Sequence, residues 1–167
     1  MTTRVCVGLM AAAFLFAFSL LARQSESLRM THEPPPDVCG DWLVKTLLPT
    51  SNVQASPASL KRYVGTKAVY TSAAMKFGRL TVQHPLYSQR RLSDQNFFEE
   101  NYILLAEIGV KKNGIVDVEV WDSAGRGVTR PGTELFIKSR TQLVTTWDGG
   151  YFELVRTGPC PQHVKTP

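Results

Sequence analysis

The sequence predicts a mainly β protein, an antiparallel barrel or sandwich of seven or eight short strands with two short helices. Short runs rich in β-branched and aromatic residues alternate with turns that contain Gly, Pro or Asn-Gly. Within residues 115–121, valines at every second position alternate with Asp117 and Glu119, as in a strand with one buried face. Only two segments carry helix start and stop signals, and both are short.

The chain begins with a segment typical of exported proteins. Arg4 precedes 18 residues, Val5 to Ala22, that carry no charged side chain. We expect residues 1–22 to be a signal peptide cleaved near Ala22, or a signal anchor that stays in the membrane, because about 20 apolar residues cross a bilayer. We interpret residues 23–38 as a Pro-rich linker, residues 39–160 as the folded domain and residues 161–167 as a C-terminal tail.

The first half of the domain contains four predicted strands and one helix. A helix of about two turns is delimited by Ser56 at the cap, Pro57 at the first helical position and Gly65 just past the end. The predicted strands are Gly40–Leu47, which ends before Pro49, and then Thr66–Thr71, Ala74–Phe77 and Arg79–Val82.

The second half begins with a polar stretch, His84 to Leu92, that we predict to be a long connection because it contains Pro85. Ser93 and the three residues after it cap a second helix, from Phe97 to about Ala106. The remaining predicted strands are Ile115–Trp121 after an Asn-Gly turn, Glu134–Lys138, Thr141–Trp147 and, after the hairpin turn Asp148-Gly149-Gly150, Tyr151–Arg156.

The cysteines support export. Cys6 lies in the apolar start, whereas Cys39 and Cys160 lie near the two ends of the predicted domain. We expect these two to form a disulfide that closes the domain in an oxidising compartment, the alternative being two unrelated free thiols. The predicted location is therefore secreted or periplasmic.

Gly40-Asp41-Trp42 on the first strand, together with Arg156 on the last, resembles the lipocalin-like (calycin) barrels. The resemblance implies an up-and-down barrel in which Gly40 and Trp42 open the first strand and Arg156 lies over the indole by cation–π attraction. The helix positions depart from the usual lipocalin pattern. Residues 63–67, 97–101 and 146–154 are similar to segments of small secreted bacterial proteins.

No motif in the sequence indicates catalysis or a cofactor. The chain has no Gly-x-Ser-x-Gly elbow, no Gly-rich phosphate loop and no dinucleotide fingerprint. The histidines His32, His84 and His163 are isolated, so no metal site is expected. At a net charge of +5 the basic pairs at 61–62, 90–91 and 111–112 are too scattered for a nucleic-acid surface. We therefore predict a protein that is not an enzyme and binds neither a cofactor nor nucleic acid.

The leading functional hypothesis is an exported binding protein for a small apolar or amphipathic molecule held inside the barrel. Small barrels either fill with side chains or hold one ligand. The aromatic residues predicted to bind it are Phe97, Phe98 and Tyr102 near the mouth, with Trp121 and Trp147 lining the cavity.

The alternative is a barrel with a filled core that acts through its surface on an extracytoplasmic enzyme or envelope component. Its contact element would be the connection from His84 to Leu92, with Tyr87 and Arg90, because binding residues concentrate on loops held by a rigid scaffold. In both hypotheses the membrane is contacted only through an uncleaved signal anchor.

Overall fold

A computed structural model describes residues 29–51 and 55–161. The predicted signal or anchor at residues 1–22, and residues 162–167 of the tail, lie outside the described residues. Within the described ranges, no helix has both the length and the apolar character needed to cross a bilayer.

The described chain forms one antiparallel sheet with two short helices, which confirms the predicted fold class. The sheet has nine strands, slightly more than predicted. The elements in chain order are β1 (Gly40–Leu48), α1 (Pro57–Lys61), β2 (Lys67–Tyr70), β3 (Ala74–Phe77), β4 (Leu80–Gln83), β5 (Leu86–Leu92), α2 (Asp94–Asn101), β6 (Ile115–Trp121), β7 (Glu134–Ser139), β8 (Gln142–Trp147) and β9 (Gly150–Gly158).

The strands follow one another up and down and curl into a half-barrel. Their spatial order is β4-β3-β2-β1-β9-β8-β7-β6-β5, so the first strand pairs with both the second and the last. Trp42 faces Ala68 on one side and Arg156 on the other. Register shifts between Asp41 and Trp42, and again between Val44 and Thr46, let β1 bend where the two halves of the sheet meet.

The sheet buries side chains on both faces. The first cluster includes Trp42, Tyr70, Met75 and Phe152, and it draws on strands from both halves of the sheet, as expected for the inner face of the curl. All four of these side chains are buried, and they fill the interior in which the sequence predicted a ligand. The second cluster covers β6 to β9 on the opposite face, under α2 and the loop that follows it, and includes Phe136.

Most of the segment from His84 to Leu92, namely Leu86–Leu92, forms strand β5 rather than the predicted connection. It pairs with β6 along its whole length, from Leu86 opposite Trp121 to Leu92 opposite Ile115. The strand lacks an apolar pattern on one face because Ser88 and Arg90 lie opposite the acidic residues Glu119 and Asp117 of β6.

Helix α2 begins and ends earlier than the sequence predicted. Ser93 is its N-cap, and the Ser93 side chain accepts a hydrogen bond from the backbone N–H of Asn96 at 3.1 Å. The helix stops because Tyr102 adopts a left-handed conformation with φ 57° and donates its backbone N–H to the carbonyl of Phe98 at 2.7 Å.

The two ends of the domain are joined. Cys39 and Cys160 form a disulfide, which confirms the predicted pair, with a Cα–Cα distance of 4.9 Å. Upstream, Thr31 exchanges two backbone hydrogen bonds with Tyr87 on the edge strand β5, at 2.9 and 2.7 Å. Val38 is fully buried in the first cluster, so residues of the segment interpreted as a linker pack against the sheet.

Candidate functional site

An open cavity of about 510 Å³ lies at one rim of the half-barrel, where β6 ends, β7 begins and β8 ends. We call it the rim pocket. Its volume falls within the range of small-molecule sites in proteins, roughly 300 to 1,000 Å³. Its charged and indole-bearing lining residues are Glu119, Trp121, Arg130, Glu134, Trp147 and Asp148.

The wall of the rim pocket is the loop that connects β6 to β7, and it is fixed at both ends. At its start Asp122 accepts backbone N–H bonds from Ala124 and Arg126, each at 2.9 Å. At its end the hydroxyl of Thr133 lies 2.6 Å from the carbonyl oxygen of Val128. These local bonds hold the loop in one shape without a regular element.

Gly132 anchors the same loop to the interior of the half-barrel. Its carbonyl accepts a hydrogen bond from the buried hydroxyl of Tyr70 at 2.9 Å. Its φ is +80°, and a Cβ at this position would clash with the Phe77 ring. Only glycine fits this close approach, so the loop is held against strands on the other half of the sheet.

Two indoles contribute to the pocket. The Nε1 of Trp121 donates a hydrogen bond to the hydroxyl of Ser88 at 3.0 Å, which fixes the ring, and Gly127 lies against the ring's six-membered portion. Trp147 ends β8 opposite Gly150 and packs, partly buried, against the first cluster. The residues Trp121 and Trp147, both predicted to bind ligand, thus line the same cavity.

Two carboxylates lie side by side in the pocket. Glu119 on β6 and Glu134 on β7 are direct cross-strand partners, so their side chains leave the same face of the sheet. Among the described residues, Glu134 has no hydrogen bond or ion pair to its carboxylate. Burial, followed by repulsion from Asp117 and Glu119, raises the pKa of Glu134 to about 7.

Arg90 on the edge strand compensates the neighbouring acids. Its Nε donates to Asp117 Oδ2 at 3.0 Å, and its Nη1 and Nη2 donate to the two carboxylate oxygens of Glu100 on α2, at 3.0 and 2.6 Å. Glu119 is more distant, with 3.7 Å between its Oε1 and Arg90 Nη2. The guanidinium therefore links α2 to the sheet and is largely occupied by two partners.

Asp117 is the most enclosed acid in this network. Its side chain is 0% exposed, and its Oδ1 accepts no hydrogen bond from any described residue. Burial raises the pKa of Asp117 to about 6, although the hydrogen bond and charge of Arg90 act in the opposite direction. Among the described residues, Arg90 is the cation that offsets the charge of Asp117.

The structure places the other three aromatic residues predicted to bind ligand outside the rim pocket. Phe97 is fully buried in the second cluster, where its ring meets that of Phe136 edge to face at 5.2 Å. Phe98 is 46% exposed and Tyr102 is 68% exposed, on the outer side of α2 and just after it. Sequence reasoning missed Glu119 and Glu134 as a pair because the pattern shows which face a residue occupies but not which residue faces it.

The three residues taken from the resemblance lie where β1 pairs with β9: Gly40 and Trp42 on β1 and Arg156 on β9. The guanidinium carbon of Arg156 lies 4.3 Å from the centroid of the Trp42 ring, and Arg156 also donates to the carbonyls of Asp37, at 2.7 Å, and Cys39. Gly40 leaves room for this guanidinium, because a Cβ there would lie 2.7 Å from Arg156 Nη1. This cluster is structural and joins the first and last strands.

Comparison with known proteins gives no match to a family model, to a curated protein or to a solved structure. The curled antiparallel sheet is an observation from the structure alone. Membership of the lipocalin-like barrels stays a proposal. No group of three or more His, Cys, Asp or Glu side chains within residues 29–51 and 55–161 is arranged to hold a metal ion.

Proposed function

We propose that the protein is an exported, lipocalin-like, non-catalytic binding protein for a small amphipathic molecule, and that the ligand occupies the rim pocket. One observation carries the proposal: the interior of the half-barrel is filled by side chains such as Trp42 and Tyr70, whereas Trp121 and Trp147 both line an open cavity of about 510 Å³. Two of the five aromatic residues predicted to bind ligand, Trp121 and Trp147, thus line the rim pocket.

The chemistry of the pocket favours an amphipathic ligand. Indole rings offer broad apolar faces, and a few placed polar groups orient a ligand against them. Here the polar groups include the carboxylates of Glu119 and Glu134. A purely apolar molecule would leave these carboxylates desolvated without a partner, which costs free energy.

Export is supported by two independent features. The chain starts with 18 uncharged residues after Arg4, and Cys39 and Cys160 form a disulfide that closes the domain. Disulfides persist in oxidising compartments such as the periplasm or the extracellular space. We therefore propose a secreted or periplasmic location.

Native mass spectrometry of the protein purified from its source without detergent tests the binding function. We expect a mass above that of the processed chain, lost on denaturation, and reduced occupancy in Trp147→Leu. Phe98→Leu is the matched control, because Phe98 is an exposed aromatic outside the pocket. Equal occupancy in the two variants would place the ligand elsewhere, and a protein without any ligand would favour the surface alternative.

The second candidate function is binding of a protein partner through the surface, at a position other than the segment from His84 to Leu92. Tyr87 is buried and donates its hydroxyl to the carbonyl of Thr71, so it is not available as the contact residue that the sequence suggested. An exposed apolar group on and after α2 favours this candidate instead: Phe98, Tyr102 and Leu104 are 46%, 68% and 57% exposed. Large apolar side chains exposed close together along the chain are typical of protein contacts.

We propose an extracytoplasmic protein as the partner of this apolar group. A complex isolated from the source should be lost in Phe98→Ser. The control is Val64→Ser, which removes an apolar side chain of similar exposure elsewhere on the surface. Loss of the complex in both variants, or in neither, would contradict the assignment.

A further inference from the structure

We propose that the ligand of the rim pocket is a small organic cation whose ammonium group lies against the carboxylates of Glu119 and Glu134 and the indole of Trp121, while Trp147 lines the same cavity from the side of the first cluster. The inference rests on the proposed binding function and names the ligand class. An amphipathic ligand could carry either charge, but the cavity is lined by more acidic than basic residues, which favours a cation.

The rim pocket is negatively charged although the protein is basic. Glu119, Glu134 and Asp148 line it, against Arg130 alone among the basic residues of the lining. The whole chain has a net charge of +5. A local excess of carboxylates on a basic protein attracts small cations to that position and repels anions.

Glu134 is the group that most needs a cation. Its half-buried carboxylate has no hydrogen bond or ion pair from the described residues, and its strand neighbour Glu119 is also acidic. Arg90, whose positive charge acts on Glu134, already binds Asp117 and Glu100. The pKa of Glu134, raised to about 7, is the expected result of a carboxylate that is desolvated among other acids. A bound cation would offset both effects.

The indoles decide between an organic cation and a metal ion. An indole ring supplies no oxygen ligand to a metal, but its face attracts ammonium groups, most strongly when they are methylated and weakly hydrated. The Trp121 ring is held by its hydrogen bond to Ser88, so its position does not have to be ordered by the ligand. Carboxylates beside aromatic faces are the combination that recognises methylated ammonium groups.

The same carboxylates distinguish a free ammonium solute from a phospholipid headgroup. A headgroup carries a phosphate next to its ammonium group, and Glu119, Glu134 and Asp148 would repel that phosphate. The ligand is therefore expected to be a solute that carries positive charge without a neighbouring anion.

Isothermal titration calorimetry with three probes tests the inference on the full processed chain. The probes are choline, its neutral isostere in which a tert-butyl group replaces the trimethylammonium group, and phosphocholine. Measurements at about pH 8 and low salt keep Glu134 ionised, because its pKa is about 7. We expect choline to bind about tenfold more tightly than either of the other two.

Two variants localise the effect. Glu134→Gln should weaken choline binding about tenfold and leave the isostere unchanged. Glu99→Gln is the matched control, since it removes the same charge from the exposed face of α2, where Glu99 contacts Gln95. Near-ultraviolet circular dichroism verifies that both variants are folded.

The outcomes separate this inference from the binding function. Equal binding of choline and its isostere, both lost in Trp147→Leu, would overturn the cation and retain the pocket. Absence of choline binding at millimolar concentration would also overturn the cation, while the binding function is judged separately by native mass spectrometry. Preferential binding of phosphocholine would overturn the free-solute assignment in favour of a lipid headgroup.

Discussion

Replacing Arg90 with methionine would test whether one partly exposed guanidinium keeps a buried acid ionised. Asp117 is 0% exposed and Arg90 is its ion-pair partner, at 2.9 Å between Nη2 and Oδ2. Removing one partner of a buried pair leaves an uncompensated charge and costs about 3 to 5 kcal/mol. The Arg90 side chain is 36% exposed, so water replaces part of the lost interaction, and we expect about 3 kcal/mol near pH 8.

The loss of folding stability in Arg90→Met should be larger at high pH than at low pH. The folded-state pKa of Asp117 is about 6, above its ordinary value of 3.8, so folding already takes up a proton between these values. Arg90 lowers this pKa, and its removal therefore raises the pKa further and widens the window in which stability falls as pH rises. The destabilisation by Arg90→Met should be large near pH 8 and should shrink towards about pH 5, where Asp117 is protonated.

Guanidinium unfolding of the native protein, Arg90→Met, Asp117→Asn and the double variant at both pH values provides the measurement. In the Asp117→Asn background, Arg90→Met should cost under about 1 kcal/mol, because only the partly exposed contacts to glutamates remain. Arg91→Met is the control, since Arg91 is an exposed residue of the same strand. The same destabilisation at both pH values, or in the native and the Asp117→Asn backgrounds alike, would refute the reasoning.

Three further substitutions test the burial of Glu134 and the packing of Trp42 and Gly132. Because the folded-state pKa of Glu134 is raised to about 7, the native protein should lose stability, on the order of 2 kcal/mol, as the pH rises from about 4.5 to 7. Glu134→Gln should abolish this loss, and urea unfolding of both proteins across the same pH range would detect the difference. Trp42→Ala should cost about 3 to 5 kcal/mol, and an unchanged melting temperature would contradict the role of this residue in the first core. Gly132→Ala should cost about 2 to 3 kcal/mol in thermal unfolding, more than Gly65→Ala, which has a similar positive φ but open space around its Cβ; equal losses would exclude the clash with Phe77.

Local sequence signals predicted much of the fold because their physical causes are local. Ser56 and Ser93 both cap helices, as their hydroxyls accept backbone N–H bonds near the helix starts. The turn at residues 148–150 joins the last two strands, β8 and β9. Alternation correctly indicated strand β6, whose valines pack in the first core while Asp117 and Glu119 occupy the other face.

The candidate site was only partly predictable. Trp121 and Trp147 were selected as ligand residues from their chemistry, and the structure places both at the rim pocket. The interior cavity assumed for them is filled, because the volume inside the curl depends on the combined packing of residues from distant strands. Phe97 was assigned to the barrel mouth, but the fold places it in the second core under α2.

The sequence by itself determined the antiparallel β character, the two capped helices and the disulfide between Cys39 and Cys160, because periodicity, caps and cysteine placement act over short ranges or at the chain's ends. Only the tertiary structure decided that β5 is a strand, since Ser88 and Arg90 lie opposite Glu119 and Asp117 of β6 instead of an apolar core. Only the tertiary structure paired Glu119 with Glu134, because strand register depends on contacts between segments that the linear pattern does not align.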